Sequence, residues 1–240
     1  MSTYPLLSLA IWIPIFAGLV VLTTGGDRNA PLARMISLVG AVAAFLITIP
    51  LWVGFDVANG GMQFVELGSW IPRFNINYHL GVDGISMLFV VLNAFITIIV
   101  VAAGWEVIQN KVAQYNAAFL IMSGLMNGIF TSLDGVLFYV FFEASLIPLY
   151  LIIGVWGGPN RVYAAFKFFL YTLFGSLLFL IALMYLFIQS GGSFSILEWH
   201  KLPIALGPQI WLFLAFMIAF AVKVPMWPVH TWLPDAHVEA

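Results

Sequence analysis

Seven apolar runs, each close to the length of a bilayer-crossing helix, constrain this chain more than any other feature of its sequence. They cover roughly residues 4–22, 32–55, 84–103, 115–133, 135–156, 163–189 and 209–227. A helix needs about 20 residues to cross the hydrocarbon core. The backbone in lipid must satisfy its own hydrogen bonds, so such runs can only be helical. The expected fold class is therefore all-α: a polytopic transmembrane helix bundle of about seven spans, the seventh broken at prolines. The composition leaves no soluble alternative, since 63% of the 240 residues are hydrophobic and 8% are charged. A soluble domain carries about 25% charged residues.

The links between runs are informative. Within the link 56–83, GMQFVEL and FNINYHL alternate polar and apolar side chains on either side of SWIPR, a period-two pattern that predicts a β-hairpin at the membrane surface. Only Asp134 and Gly135 separate the fourth and fifth runs, predicting a tight hairpin connection. The link 190–208 contains Gly191-Gly192 and the surface-like ILEWHKL. A three-helix region at 1–112, with 56–83 as its extramembrane loop, and a second region at 113–240 are the expected organisation. No positive residue precedes the first run, which predicts a retained helix rather than a cleaved signal peptide. With seven alternating spans, Arg28, Arg34, Lys111, Arg161 and Lys167 share one side and Arg73 and Lys201 the other. The positive-inside rule then places the first set in the cytoplasm and the N-terminus in the periplasm.

Composition also excludes functions. A net charge of −2 offers no basic stripe for nucleic acid. The absence of Cys removes disulfides, thiolate zinc sites and iron–sulfur ligation. None of His79, His200, His230 and His237 is spaced i+3 or i+4 from another, so no helical metal site or haem is expected. If redox chemistry occurs in a complex containing this chain, the electrons are expected elsewhere.

Two ionisable residues lie deep in apolar sequence: Glu143 in LFYVFFEASLIPLYLII and Lys223 in WLFLAFMIAFAVKVPMWPV. A charge at the centre of a span costs about 2.5–3.5 kcal/mol on insertion scales, so such residues persist where they pair, face water or handle ions. Apolar neighbours strip water from the Glu143 carboxylate, and its protonation then depends on whether a cation compensates. The bland alternative is a structural Glu hydrogen-bonded between helices. Lys223 is followed by Pro225, Pro228 and Pro234, which remove backbone donors and interrupt the helix. Discontinuous helices mark ion sites in transporters; the bland alternative is snorkelling to the interface. His230 and His237 fall two turns apart if their stretch stays helical, and with Asp235 and Glu239 they form either a proton relay to bulk water or an ordinary surface. Lys167 either snorkels or is a second cation near Glu143. Asn93, Asn127, Thr172 and Ser176 read first as helix–helix glue.

The segments FFEASLIPLYLIIGVWGG, RVYAAFKFFLYTLFGS, YHLGVDGIS and AFAVKVPMWPVHTWLPDAHVEA resemble the antiporter-like membrane subunits of respiratory complex I. The resemblance runs over essentially the whole chain. It implies the first half of an inverted-repeat antiporter-like fold, with 113–240 forming most of the first repeat and the N-terminal part of such a subunit represented. It implies that Glu143 is the family's fifth-helix glutamate and Lys223 its seventh-helix lysine. The implied function is proton translocation as a subunit of NADH:quinone oxidoreductase, with FMN, iron–sulfur clusters and quinone in other subunits and no cofactor or metal in this chain. Implied partners are the other membrane subunits, neighbouring antiporter-like chains among them, and lipid, in a bacterial inner membrane. The alternatives are a subunit of a multi-subunit cation/proton antiporter or membrane-bound hydrogenase, and a structural membrane scaffold.

Overall fold

The computed structural model describes residues 4–239. Residues 1–3, on which the side of the N-terminus bears, and Ala240 lie outside the described residues. The chain forms two units.

The first unit holds the residues up to Gly68 together with Tyr78–Leu133. Its helices are α1 (Leu6–Leu22), α2 (Ala30–Val53), α3 (Gly84–Val107) and α4 (Val112–Thr131). The buried face of α2 is Ala30, Ala33, Ser37, Gly40, Ala41, Ala44, Thr48 and Leu51, a stripe of mostly small residues recurring every three or four positions. Lipid offers no hydrophobic driving force between helices, so close backbone approach and hydrogen bonds must supply the association. Gly40 shows how close: a Cβ there would lie 2.5 Å from that of Ala17 on α1. The large side chains of α2 turn outward, with Val39, Leu46 and Val53 exposed. Polar residues bridge the helices as the sequence suggested. Asn93 Nδ2 donates to Asn127 Oδ1 at 2.8 Å and to the Ser123 carbonyl at 2.8 Å, and Asn127 Nδ2 donates to the Ala10 carbonyl at 2.9 Å.

The link 56–83 is a hairpin, as its alternation predicts: β1 (Gln63–Ile71) pairs with β2 (Ile76–Val82). Asn75 takes a left-handed conformation (φ 54°) after the short Pro72–Phe74 turn. Within the first unit Glu66 of β1 caps α1 from outside. Pro5 at the N-cap makes no side-chain cap, and the Glu66 carboxylate accepts from the Leu7 amide at 2.8 Å and from the amide and hydroxyl of Ser8. A carboxylate at that end also suits the helix dipole.

Asp83 caps α3 with a reciprocal box. Its Oδ1 accepts from Ser86 N at 2.7 Å and Ile85 N at 3.1 Å, while Ser86 Oγ accepts from Asp83 N at 2.9 Å. The Ser86 amide above all holds the Asp83 carboxyl below its ordinary value. A lowered carboxylate stabilises the fold above its unfolded pKa, and that contribution is lost as pH falls through the folded value. Asp83→Ala is expected to cost about 1 kcal/mol. Amide hydrogen exchange at Ile85 and Ser86 should quicken in the variant at neutral pH, and the difference should vanish in acid.

The second unit holds Ser69–Asn77 and the residues from Asp134 onward. It contains α5 (Gly135–Ala144), α6 (Leu146–Trp156), α7 (Arg161–Gln189), the single-turn α8 (Ile196–Trp199), α9 (Leu206–Lys223) and α10 (Trp232–Glu239). The division falls after Leu133, so α4, which the sequence grouping joined to the second region, packs with α1–α3. Asp134 caps α5 through Val136 N and Leu137 N, and its other oxygen accepts from Asn77 N at 3.0 Å.

All seven runs are helical. Among the described residues, five helical stretches are long and apolar enough to cross a membrane: Asp27–Val53, Gly84–Val107, Gly135–Trp156 (α5 and α6 together), Arg161–Gln189 and Leu206–Lys223. Of the other two, α1 has 17 residues, and α4 has 20 but carries Gln114, Asn116 and Asn127.

Candidate functional site: Glu143 and Lys223 at two helix interruptions

The fifth run is two helices rather than one. Pro148 has no amide to give the Ala144 carbonyl and cannot sit inside a helix without loss, but the first turn of a new helix tolerates it. The chain accordingly ends α5 at Ala144 and starts α6 at Leu146. Ser145 closes the joint, its amide donating to the Phe141 carbonyl at 3.0 Å and its hydroxyl to the Phe142 carbonyl at 2.7 Å. Glu143 is thereby set in the last turn of α5. That is the electronegative end of a helix and an unfavourable place for an anion.

The seventh run breaks where the prolines predict. Val224 N still reaches the Phe220 carbonyl at 2.8 Å, but Pro225 has no amide to offer Ala221. The Met226 amide takes the Ala221 carbonyl instead, at 2.8 Å. Val222 O accepts from the indole nitrogen of buried Trp232, also at 2.8 Å. Lys223 is thus the final residue of α9, where the helix dipole favours a cation.

Glu143 and Lys223 are both half-buried, and each senses the charge of the other. They are not ion-paired: among the described residues the sole salt bridge within 4 Å is Lys167–Asp235. Glu143 Oε1 and Lys223 Nζ are buried without a hydrogen-bond partner. The Lys223 ammonium faces the ring of Phe142 instead, 4.4 Å from its centroid. Phe142 belongs to an aromatic cluster with Phe138, Phe179 and Phe220.

The other candidates divide. Lys167 on α7 is not beside Glu143; its Nζ donates to Asp235 Oδ2 at 2.5 Å, joining α7 to α10. The same docking is completed by Glu239, whose Oε2 accepts from Asn160 N at 2.8 Å, and by Trp232 and Ala236 packing on Phe168, Ala164 and Ala165. His230 and His237 do not share a helix face, because His230 lies in the turn before α10. Prolines 225 and 228 prevent the helix from continuing through it. His230 Nδ1 is buried without a hydrogen-bond partner, and His237 is exposed. Thr172 and Ser176 bond to the carbonyls of Phe168 and Leu173 within α7. Sequence reasoning missed the contacts of Phe142 with Lys223 and of Trp232 with Val222. The four aromatics just before Glu143 were the available signal for the first; nothing local marks the second.

A helical, multi-pass membrane protein with a glutamate and a lysine at adjacent helix interruptions is the class that fold and site define. Residues 132–240 match the family described as NADH:quinone oxidoreductase/Mrp antiporter, TM, and residues 30–131 match NADH-ubiquinone oxidoreductase chain 4, amino terminus. The two stretches meet close to the division between the units. The chain is 48% identical to NADH-quinone oxidoreductase subunit M of Rhodobacter capsulatus, over 98% of this chain and 48% of that protein. Its fold matches respiratory complex I from Thermus thermophilus with bound NADH, at a TM-score of 0.85 and 31% identity, over 97% of this chain and 47% of that one. The Mrp complex from Dietzia sp. shares the fold at a TM-score of 0.84 and 19% identity, over 98% of this chain and 25% of that one. The chain belongs to the family of antiporter-like membrane subunits of NADH:quinone oxidoreductase, and spans about half the length of the curated relatives it matches.

Proposed function

We infer that this chain is part of a proton-translocating subunit of NADH:quinone oxidoreductase, and that Lys223 and Glu143 carry its charge switch. The observation that carries the reading is the state of Lys223: a buried ammonium at a helix break, near a carboxylate but not bonded to it. Closing the pair holds the proton on the lysine, and opening it frees the lysine to hand its proton onward. Moving one charge against a membrane potential takes about 2.3 kcal/mol per 100 mV. One pKa unit is worth about 1.4 kcal/mol, so forming and breaking one buried pair works on that scale. His230, Lys167 and Asp235 are candidates for moving protons between the lysine and water, with His237 at the exposed end. FMN, iron–sulfur clusters and quinone belong in this reading to other subunits, which with neighbouring antiporter-like chains and lipid are the partners. The location is a bacterial inner membrane with the N-terminus periplasmic.

Glu143→Gln tests this in the full-length subunit within its assembled complex. The change removes a charge at nearly constant volume. Proton uptake per NADH oxidised in reconstituted vesicles is expected to fall severalfold while the complex still assembles; normal uptake from an assembled variant would refute the role of Glu143. The fold likeness to the Mrp complex supports a second reading, a subunit of a cation/proton antiporter. That reading requires proton movement driven by a sodium gradient without NADH.

A further inference from the structure

We propose that the ring of Phe142, rather than the Glu143 carboxylate, is the group that holds the Lys223 ammonium while the pair is open, making Phe142 a positioning residue for proton transfer. The proposal rests on the reading of Lys223 as a proton carrier. The ammonium lies 4.4 Å from the ring centroid, inside the ~6 Å range of a cation–π contact. It has no hydrogen-bond partner, and no carboxylate of the described residues lies within 4 Å of it.

The ring is itself fixed. It is buried, stacks on Phe138 at 5.6 Å and 19°, and meets the edge of Phe220 at 6.4 Å and 85°. Phe220 is one turn before Lys223 on α9, so the contact ties lysine and ring through both helices.

The chemistry suits a waiting position. A carboxylate binds an ammonium and can also take its proton, whereas an aromatic face attracts the charge and accepts no proton. Phe142 and Glu143 are consecutive, so the ammonium passes from the neutral holder to the charged one by a short sideways movement on a single turn of α5. An aliphatic residue at 142 would fill the space and leave the ammonium nothing to face.

The test is a series of phenylalanine analogues at position 142 with one, two and three ring fluorines, together with Phe142→Leu and Lys223→Ala. All are made in the full-length subunit of the assembled complex. Fluorination withdraws charge from the ring face with little change of shape. The pumping rate is expected to fall stepwise, reaching about a tenfold loss at three fluorines, the scale of a desolvated cation–π contact. Fluorinated rings that pump like wild type, beside an impaired Phe142→Leu, would overturn the proposal and leave the ring a packing role. The one-fluorine variant, which perturbs packing least, decides the matter if heavier substitutions do not assemble. Undiminished pumping by Lys223→Ala would instead bring down the proton-carrier reading beneath it.

Discussion

Lys223→Ala, made in the full-length subunit, is expected to reduce proton uptake per NADH more than tenfold while the complex still assembles. The residue adds little to packing, since its ammonium makes no hydrogen bond and the break in α9 is held by other groups. Those groups are the Met226 amide on Ala221 and the Trp232 indole on Val222, and neither involves the lysine side chain. What the alanine removes is the exchangeable charge next to Glu143. Lys223→Arg sharpens the test. A guanidinium keeps the charge but is not deprotonated in proteins, so it can balance a carboxylate and cannot hand on a proton. It is expected to assemble and still fail to pump. Restored pumping by the arginine would mean that a fixed charge suffices there.

Gly124→Val is expected to prevent the first unit from packing. A Cβ at this position of α4 would lie 2.4 Å from the Ile11 carbonyl oxygen and 2.5 Å from the Ile15 side chain. The nearer atom is backbone and cannot swing aside, so α1 as a whole would have to retreat. Retreat would stretch the 2.9 Å hydrogen bond from Asn127 to Ala10 and leave a buried amide unsatisfied. Overpacking alone costs about 1–3 kcal/mol, and a lost buried hydrogen bond adds about 1–3 kcal/mol. The sum, about 2–6 kcal/mol, is a large fraction of the roughly 5–15 kcal/mol by which domains are stable. The yield of folded subunit and its melting temperature in detergent measure the effect. Gly207→Ala, where a Cβ meets nothing within 4 Å, is the matched control and should be silent.

Much of this was legible in the sequence because the physics is local. Apolar length marks each helix, the two-residue alternation of GMQFVEL and FNINYHL marks the hairpin, and Pro225 marks the end of α9. The three- and four-residue recurrence of small residues in α2 also declares its packed face. Glu143 and Lys223 stand out because charge is scarce in apolar surroundings. The break at Ser145 was hidden because Pro148 acts upstream of itself and the apolar run continues through it. Pairings made through space were hidden more deeply. Lys167 and Asp235 are 68 positions apart, and Glu66 is 59 from the amide of Leu7. No spacing rule reaches that far. The helical wheel that set His230 above His237 failed for a related reason: it assumed continuity that two prolines deny.

The Trp232 indole joins two helices at the break in α9. It grips the carbonyl of Val222, the residue beside Lys223, yet it belongs to α10, which Asp235 and Glu239 fasten to Lys167 and Asn160. Helix α10 is therefore a clamp with one jaw on the last turn of α9 and the other on α7. A displacement of α10 would have to stretch the bond to the peptide beside Lys223 or carry that peptide with it.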